Sequence, residues 1–160
     1  MNIKIIVLLL GLLIANVHSI AHSEETHFKK FQQGSYQQLL NHYKNKPFVL
    51  IIWSITCSPC LKEMAFISTL HQQQPKLNLI LLTVDDLSAN AEINHILTKY
   101  NLIDLENWGF FEGHAAKLRF EIDPNWYGEL PRTYFFDKHH QRTAISGLIS
   151  EEKYKQLLAL

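Results

Sequence analysis

The apolar run Phe48-Val49-Leu50-Ile51-Ile52-Trp53 passes through Ser54-Ile55-Thr56 straight into Cys57-Ser58-Pro59-Cys60, which holds both cysteines of the chain. No other passage limits the fold as strongly. A run of this length without polar alternation predicts a parallel strand buried on both faces. The residues that follow, up to about Gln74, predict a helix stopped by Pro75. Pro59 falls near its first turn, where a missing N–H costs nothing.

Two cysteines three positions apart are a poor structural strut, because closing so short a loop removes little entropy from the unfolded chain. Small exported proteins held by disulfides carry more cysteines, widely spread. The chain has 160 residues, 47% hydrophobic, enough to bury a core without staples. The pair is therefore read as reactive. Random placement would put two cysteines at this spacing only about 1% of the time, and a strand before with a helix after strengthens the reading. A zinc site needs two further ligands, and no second cysteine pair exists.

Lys and Arg total 15 and so do Asp and Glu. A nucleic-acid partner is not expected, since such proteins carry a basic excess. Residues 1–23 differ from the rest: Lys4 precedes the apolar run Ile5 to Ala15, and a small, polar stretch follows. That is the layout of an export signal, with candidate cuts after Ser19, Ala21 or Ser23. The rival reading is an uncut anchor, although Asn16 and His18 interrupt the run short of a spanning length. Residues 24–160 are expected to form one extracytoplasmic domain, touching a membrane only through such an anchor.

Along that domain, Ser35 is expected to cap a helix with Tyr36, Leu39, Leu40 and Tyr43 on one face, ended by Pro47. Leu77 to Val84 reads as a second buried strand. Ser88 is expected to cap a helix carrying Ile93, Ile96, Leu97 and Tyr100. Residues 101–113 read as loop with a short strand near Trp108 to Phe111, and His114 to Phe120 as a further helix. Thr133 to Asp137 and Arg142 to Ser146 read as a hairpin across Lys138-His139-His140-Gln141. Ser150 caps a last helix with Glu151 and Glu152 in its first turn and Tyr154, Leu157 and Leu158 facing inward. A βαβ unit followed by ββα predicts an α/β fold, a mixed central β-sheet flanked by helices.

Cys57, just past a buried strand at a helix start, is the expected nucleophile, since backbone N–H groups and the helix dipole there favour a thiolate. Cys60, one turn inside, is placed to resolve a mixed disulfide on Cys57. Charge around them is sparse: Ser54, Ile55, Thr56 and Ser58 are neutral, and Glu63 is expected to cancel the field of Lys62. The helix terminus alone then gives a moderate thiolate pKa.

The stretch Phe48 to Met64, with its strand, Cys-x-Pro-Cys and Glu-Met, resembles the TlpA/ResA-like thiol–disulfide oxidoreductases of bacterial cell envelopes, within the thioredoxin superfamily. Leu130-Pro131-Arg132-Thr133-Tyr134-Phe135-Phe136-Asp137 is similar to that family's second signature, a cis-proline loop entering a strand, and Gly147 fits as well. The resemblance spans about Phe31 to Leu158. It implies a thioredoxin-like fold, a cis Pro131 beside the cysteine pair, and Leu130 offering its backbone to an extended substrate. It also implies substrate proteins with thiols or disulfides, as in cytochrome c maturation or metal-site assembly, and a DsbD-type membrane protein as electron donor. The periplasm, or the outer face of a bacterial membrane, is the implied location. No cofactor or metal is expected, and the chain is expected to act as a monomer.

The departures are specific. Thr56 stands where the family often has Trp, so a small polar residue meets the substrate. Ala65 replaces a proline after Glu-Met. Ile51 occupies the position of the buried aspartate of cytoplasmic thioredoxins, and Glu63 is the implied substitute for proton handling. By residue type alone Glu63 is a solvated helix carboxylate. Trp53 and Trp126 are candidates for the substrate surface, with core the default for Trp53. The alternative function is a copper-binding or copper-delivery module on the same fold, with His139 and His140 approaching the thiolates. A peroxidase lacks its Thr-x-x-Cys context here.

Overall fold

In the computed structural model, which describes residues 28–110 and 114–160, strands β1 (Lys29–Phe31), β2 (Phe48–Trp53), β3 (Leu79–Thr83), β4 (Glu106–Phe110), β5 (Arg132–Phe136) and β6 (Arg142–Ser146) form one sheet ordered β1-β4-β3-β2-β5-β6. The expected export signal, residues 1–23, lies outside the described residues. Among those that are described, no helix is long and apolar enough to cross a membrane. The strands from β1 to β2 pair in parallel, and β5 and β6 add on antiparallel, which makes the sheet mixed as expected.

Helices α1 (Ser35–His42), α2 (Ser58–Gln73), α3 (Asn90–Lys99), α4 (Ala115–Ile122) and α5 (Glu151–Leu158) cover both faces. The connections β2–α2–β3 and β3–α3–β4 step one way across the sheet, and β1–α1–β2 steps the other way. Right-handed crossovers therefore place α1 on the face opposite α2 and α3. Side-chain alternation divides the core accordingly. Val49, Ile51 and Trp53 of β2 pack with Met64, Ile67, Leu97 and Tyr154, and Leu50 and Ile52 pack with Leu39, Leu118 and Tyr134 on the other face.

Several local expectations are corrected. Ser35 is not a cap but the first residue of α1: Gly34, at φ 86°, takes the cap position, and Ser35 Oγ accepts the N–H of Gln32. Helix α3 starts at Asn90, because Ser88 lies in a short 3-10 turn with its N–H donated to Asp86 Oδ1. β3 is shorter than expected. β4 begins at Glu106, in a stretch whose polarity reads as loop. Its polar groups are satisfied by partners brought in by the fold: Asn107 Nδ2 donates to the carbonyls of Leu102, Ile103 and Leu105, and Glu106 accepts from Lys29, Tyr43 and Trp108. β1 went unpredicted, because only Phe31 of its residues is buried and its pairing partner β4 is distant in sequence. Ser150 caps α5 as expected, accepting the N–H of Lys153.

Candidate active site

The carboxyl end of β2 delivers the chain to Cys57, which holds the N-cap position of α2. In open α/β sheets, crevices at the carboxyl ends of strands are where sites form. Cys57 and Cys60 are joined in a disulfide of 2.03 Å, and Cys57 Sγ accepts the N–H of Cys60 at 3.2 Å. The two sulfurs differ in access. Cys57 is partly exposed, whereas Cys60 is 2% exposed and belongs to the core with Trp53 and Met64. An incoming reagent meets Cys57 first.

The lead-in to Cys57 is held by a residue the motifs did not point to. Asp85, just past the end of β3, accepts from Ser54 Oγ at 2.7 Å and from the N–H of Ile55 at 2.8 Å. It also accepts from the Thr83 hydroxyl. Ser54 Oγ in turn lies 3.0 Å from Thr56 Oγ1 and accepts the Thr56 N–H at 3.2 Å. Thr56, where the resembled family often has Trp, is exposed beside Cys57 and tied into this network. The only hint in sequence was an aspartate following a buried strand adjacent to β2.

Leu130–Pro131 is a cis peptide, as expected. Arg132 pairs with Ile52 across β2 and β5, which brings the Leu130–Pro131 segment alongside the β2–α2 connection. Leu130 is half-buried and touches both core faces. The Pro131 carbonyl accepts the N–H of Gly147 at 2.8 Å, and Gly147 holds a φ of 86° that favours glycine. Behind the loop, Asp123 is bonded to Arg132 at 2.9 Å, to Arg142 at 3.2 Å and to the Tyr134 hydroxyl at 3.1 Å. Burial alone would raise the Asp123 carboxyl, but the Asn125 N–H, the two guanidiniums and Tyr134 outweigh it and hold the carboxyl low.

Glu63 is not the solvated carboxylate its residue type suggests. It is 2% exposed, and neither carboxyl oxygen has a partner within hydrogen-bonding geometry among the described residues. Desolvation pushes its pKa to about 7, and the nearby Tyr154 hydroxyl and Ile149 backbone offset only part of that. Turned into the core, with its ionisation weakened by burial, Glu63 is a poorer counter-charge to exposed Lys62 than the sequence suggested. Ile51, 1% exposed, is plain core.

Trp53 and Trp126 are both buried, so neither lines a surface. Trp126 donates its Nε1 to the Glu129 carbonyl. His139 and His140 do not approach the cysteines. Their loop follows the far end of β5, where His140 Nε2 meets the Tyr43 carbonyl at 2.9 Å and its ring packs on Phe48. Phe48 opens β2 and Cys57 follows its other end, so the length of the strand separates them.

No protein-family model matches the chain, and no curated protein matches it significantly. Solved structures do. A secreted Mycobacterium tuberculosis disulfide oxidoreductase homologous to E. coli DsbE matches at a TM-score of 0.60 and 18% identity, over 75% of this chain and 86% of that one. A thioredoxin-related protein from Neisseria meningitidis serogroup B matches at 0.58 and 21%, over 71% and 82%. StoA from Bacillus subtilis matches at 0.54 and 16%, over 72% and 84%. Sheet order, helix placement and these matches together show that the chain has the thioredoxin-like fold.

Proposed function

We propose that this protein is a protein thiol–disulfide oxidoreductase of the cell envelope, working mainly as a reductant. One observation carries the reading: a partly exposed Cys57 at a helix N-cap, bonded to a buried Cys60 on the next turn. In the reduced protein the Cys57 thiolate attacks one sulfur of a substrate disulfide and expels the other as a thiolate. Cys60 then attacks Cys57 Sγ and releases the second substrate thiol, leaving the protein oxidised and the substrate reduced by two electrons. Glu63, a turn beyond Cys60 on α2, is the proton-handling group, Pro131 lies beside the exchanging sulfurs, and Leu130 and Thr56 meet the substrate.

The direction of electron flow follows from charge. A strong oxidant stabilises its reduced form, typically through a very low thiolate pKa. Here the groups preceding Cys57 are neutral, Lys62 is exposed to solvent that screens its charge, and Asp85 beneath them brings a negative charge, which opposes thiolate formation. The expected potential is nearer about −270 mV than about −120 mV. A DsbD-type membrane protein would return the protein to its dithiol form, and envelope proteins with thiols awaiting a haem or metal would be its substrates. The structural relatives include a protein described as secreted, and with the signal-like residues 1–23 this supports an extracytoplasmic site of action.

The test is trapping. A Cys60→Ser variant in the native envelope should accumulate mixed disulfides through Cys57, and Cys57 should alkylate with a midpoint below about 8.5, the free-thiol value. If no mixed disulfide forms, or if Cys60 alkylates first in the wild type, the assignment fails.

A further inference from the structure

Proton accounting around Ser54 leaves one arrangement. Asp85, as a carboxylate, only accepts hydrogen bonds. The Ser54 hydroxyl proton is therefore committed to Asp85 Oδ1, at 2.7 Å. A hydroxyl has one proton and two acceptor sites. One of the Ser54 acceptor sites takes the Thr56 N–H, at 3.2 Å. The close Ser54 Oγ–Thr56 Oγ1 contact, 3.0 Å, must then be a bond donated by Thr56, because Ser54 has no second proton to give. The Thr56 hydroxyl proton points inward, and the lone pairs of Thr56 Oγ1 are left at the exposed surface beside Cys57.

A threonine on a free surface turns its hydroxyl to donate or accept as its partner requires. Thr56 has lost that choice, through a chain that ends on a carboxylate anchored by two further donors, the Ile55 N–H and the Thr83 hydroxyl. We propose that Asp85, acting through Ser54, sets Thr56 as a hydrogen-bond acceptor for a backbone N–H of the substrate peptide next to its reacting cysteine. A backbone N–H is the donor every polypeptide substrate carries whatever its sequence. An acceptor here selects for peptide beside the exchanging sulfurs and against small disulfides without an amide donor. Asp85 and Ser54 are positioning residues, and Thr56 is the substrate contact. The inference rests on the oxidoreductase reading of the same site.

The test uses the reduced full chain. The probe is a short unstructured peptide whose single cysteine is disulfide-linked to 5-thio-2-nitrobenzoate. It is compared with copies N-methylated at the cysteine or at the residue on either side of it. Attack of the Cys57 thiolate on the peptide sulfur forms the mixed disulfide and releases the coloured thiolate, which reports the rate. For wild type, methylation at one of these positions should lower the second-order rate constant of release by about three- to tenfold, the worth of one net hydrogen bond. Thr56→Val should abolish that discrimination, and Thr56→Ser should keep it. Asp85→Asn supplies a second arm. The Ile55 and Thr83 donors hold the amide oxygen on their side and turn the amide N–H₂ toward Ser54. Ser54 then donates to Thr56, whose own proton swings outward, and the discrimination should again be lost. Full discrimination retained by Thr56→Val, or none in wild type at any position, overturns the inference and leaves the oxidoreductase reading standing. No release from any of the peptides overturns both.

Discussion

Replacing Glu63 by Gln tests whether burial governs this carboxyl. In the folded protein it is 2% exposed and titrates at about 7, against 4.5 for its ordinary value. Below the lower of these pH values the group is protonated in both folded and unfolded chains, and its ionisation costs nothing. Between them the unfolded chain has released the proton and the folded chain still holds it, so stability falls as pH rises, by about 1.4 kcal/mol per pH unit. Above the folded value the loss is complete, at about 3 kcal/mol, a sizeable part of the roughly 5–15 kcal/mol by which such domains are stable. Gln has the same shape and no charge to bury. Urea unfolding of the oxidised wild type and Glu63→Gln, each at pH 4.5 and 8, isolates the effect, since any constant cost of burying the amide cancels between the two pH values. The variant should gain about 3 kcal/mol on wild type between them. A stability difference that does not change with pH would mean that Glu63 ionises in the fold as it does in water, and the argument from desolvation would fail.

Asp123→Ala should cost about 1–3 kcal/mol in denaturant unfolding, because the buried Tyr134 hydroxyl loses its acceptor and two guanidiniums lose a shared carboxylate, although Arg132 keeps Glu129 and Ser146 and Arg142 keeps the Ile122 carbonyl. A cost under about 1 kcal/mol would show the pair to be merely superficial. The wild-type advantage from Asp123 is present above the ordinary aspartate range and is lost as pH falls through its lowered folded value, so the gap between wild type and variant should narrow in acid. Ser150→Ala removes the cap of α5 and should cost about 1 kcal/mol; an unchanged midpoint would mean that the Lys153 N–H finds another partner.

Local chemistry made much of the site legible in advance. The strand Phe48–Trp53 and the helix stopped by Pro75 appear as expected, because unbroken apolar runs and proline breaks act over a few residues. The unequal exposure of Cys57 and Cys60 follows from the same geometry, since the cap residue of a helix stays accessible while the one a turn later faces the sheet. Ser150 shows that a cap can be read from sequence when nothing distant competes for it. Gly34 shows the opposite: its N–H is held by the Glu121 carboxylate from α4, and that displaced the expected cap at Ser35.

What tertiary structure decided is the environment of groups whose partners are far away in the chain. Glu63 reads as a surface residue because a helix pattern marks which face is apolar but not how far a neighbouring helix closes over it; α5, bringing Tyr154, does so here. Asp85 carries no motif, and it became part of the site only because β3 pairs with β2 and sets it under Ser54 and Ile55. His139 and His140 looked free to approach the cysteines until β5 was seen to run away from Cys57 toward the start of β2. The sequence by itself determined the strand, the helix and the cysteine pair at their junction, since those depend on neighbours within a turn or two. The charge, burial and reach of the residues around that pair waited on strand order and helix packing, because desolvation and Coulomb terms depend on distance in space, which the linear spacing of residues does not specify.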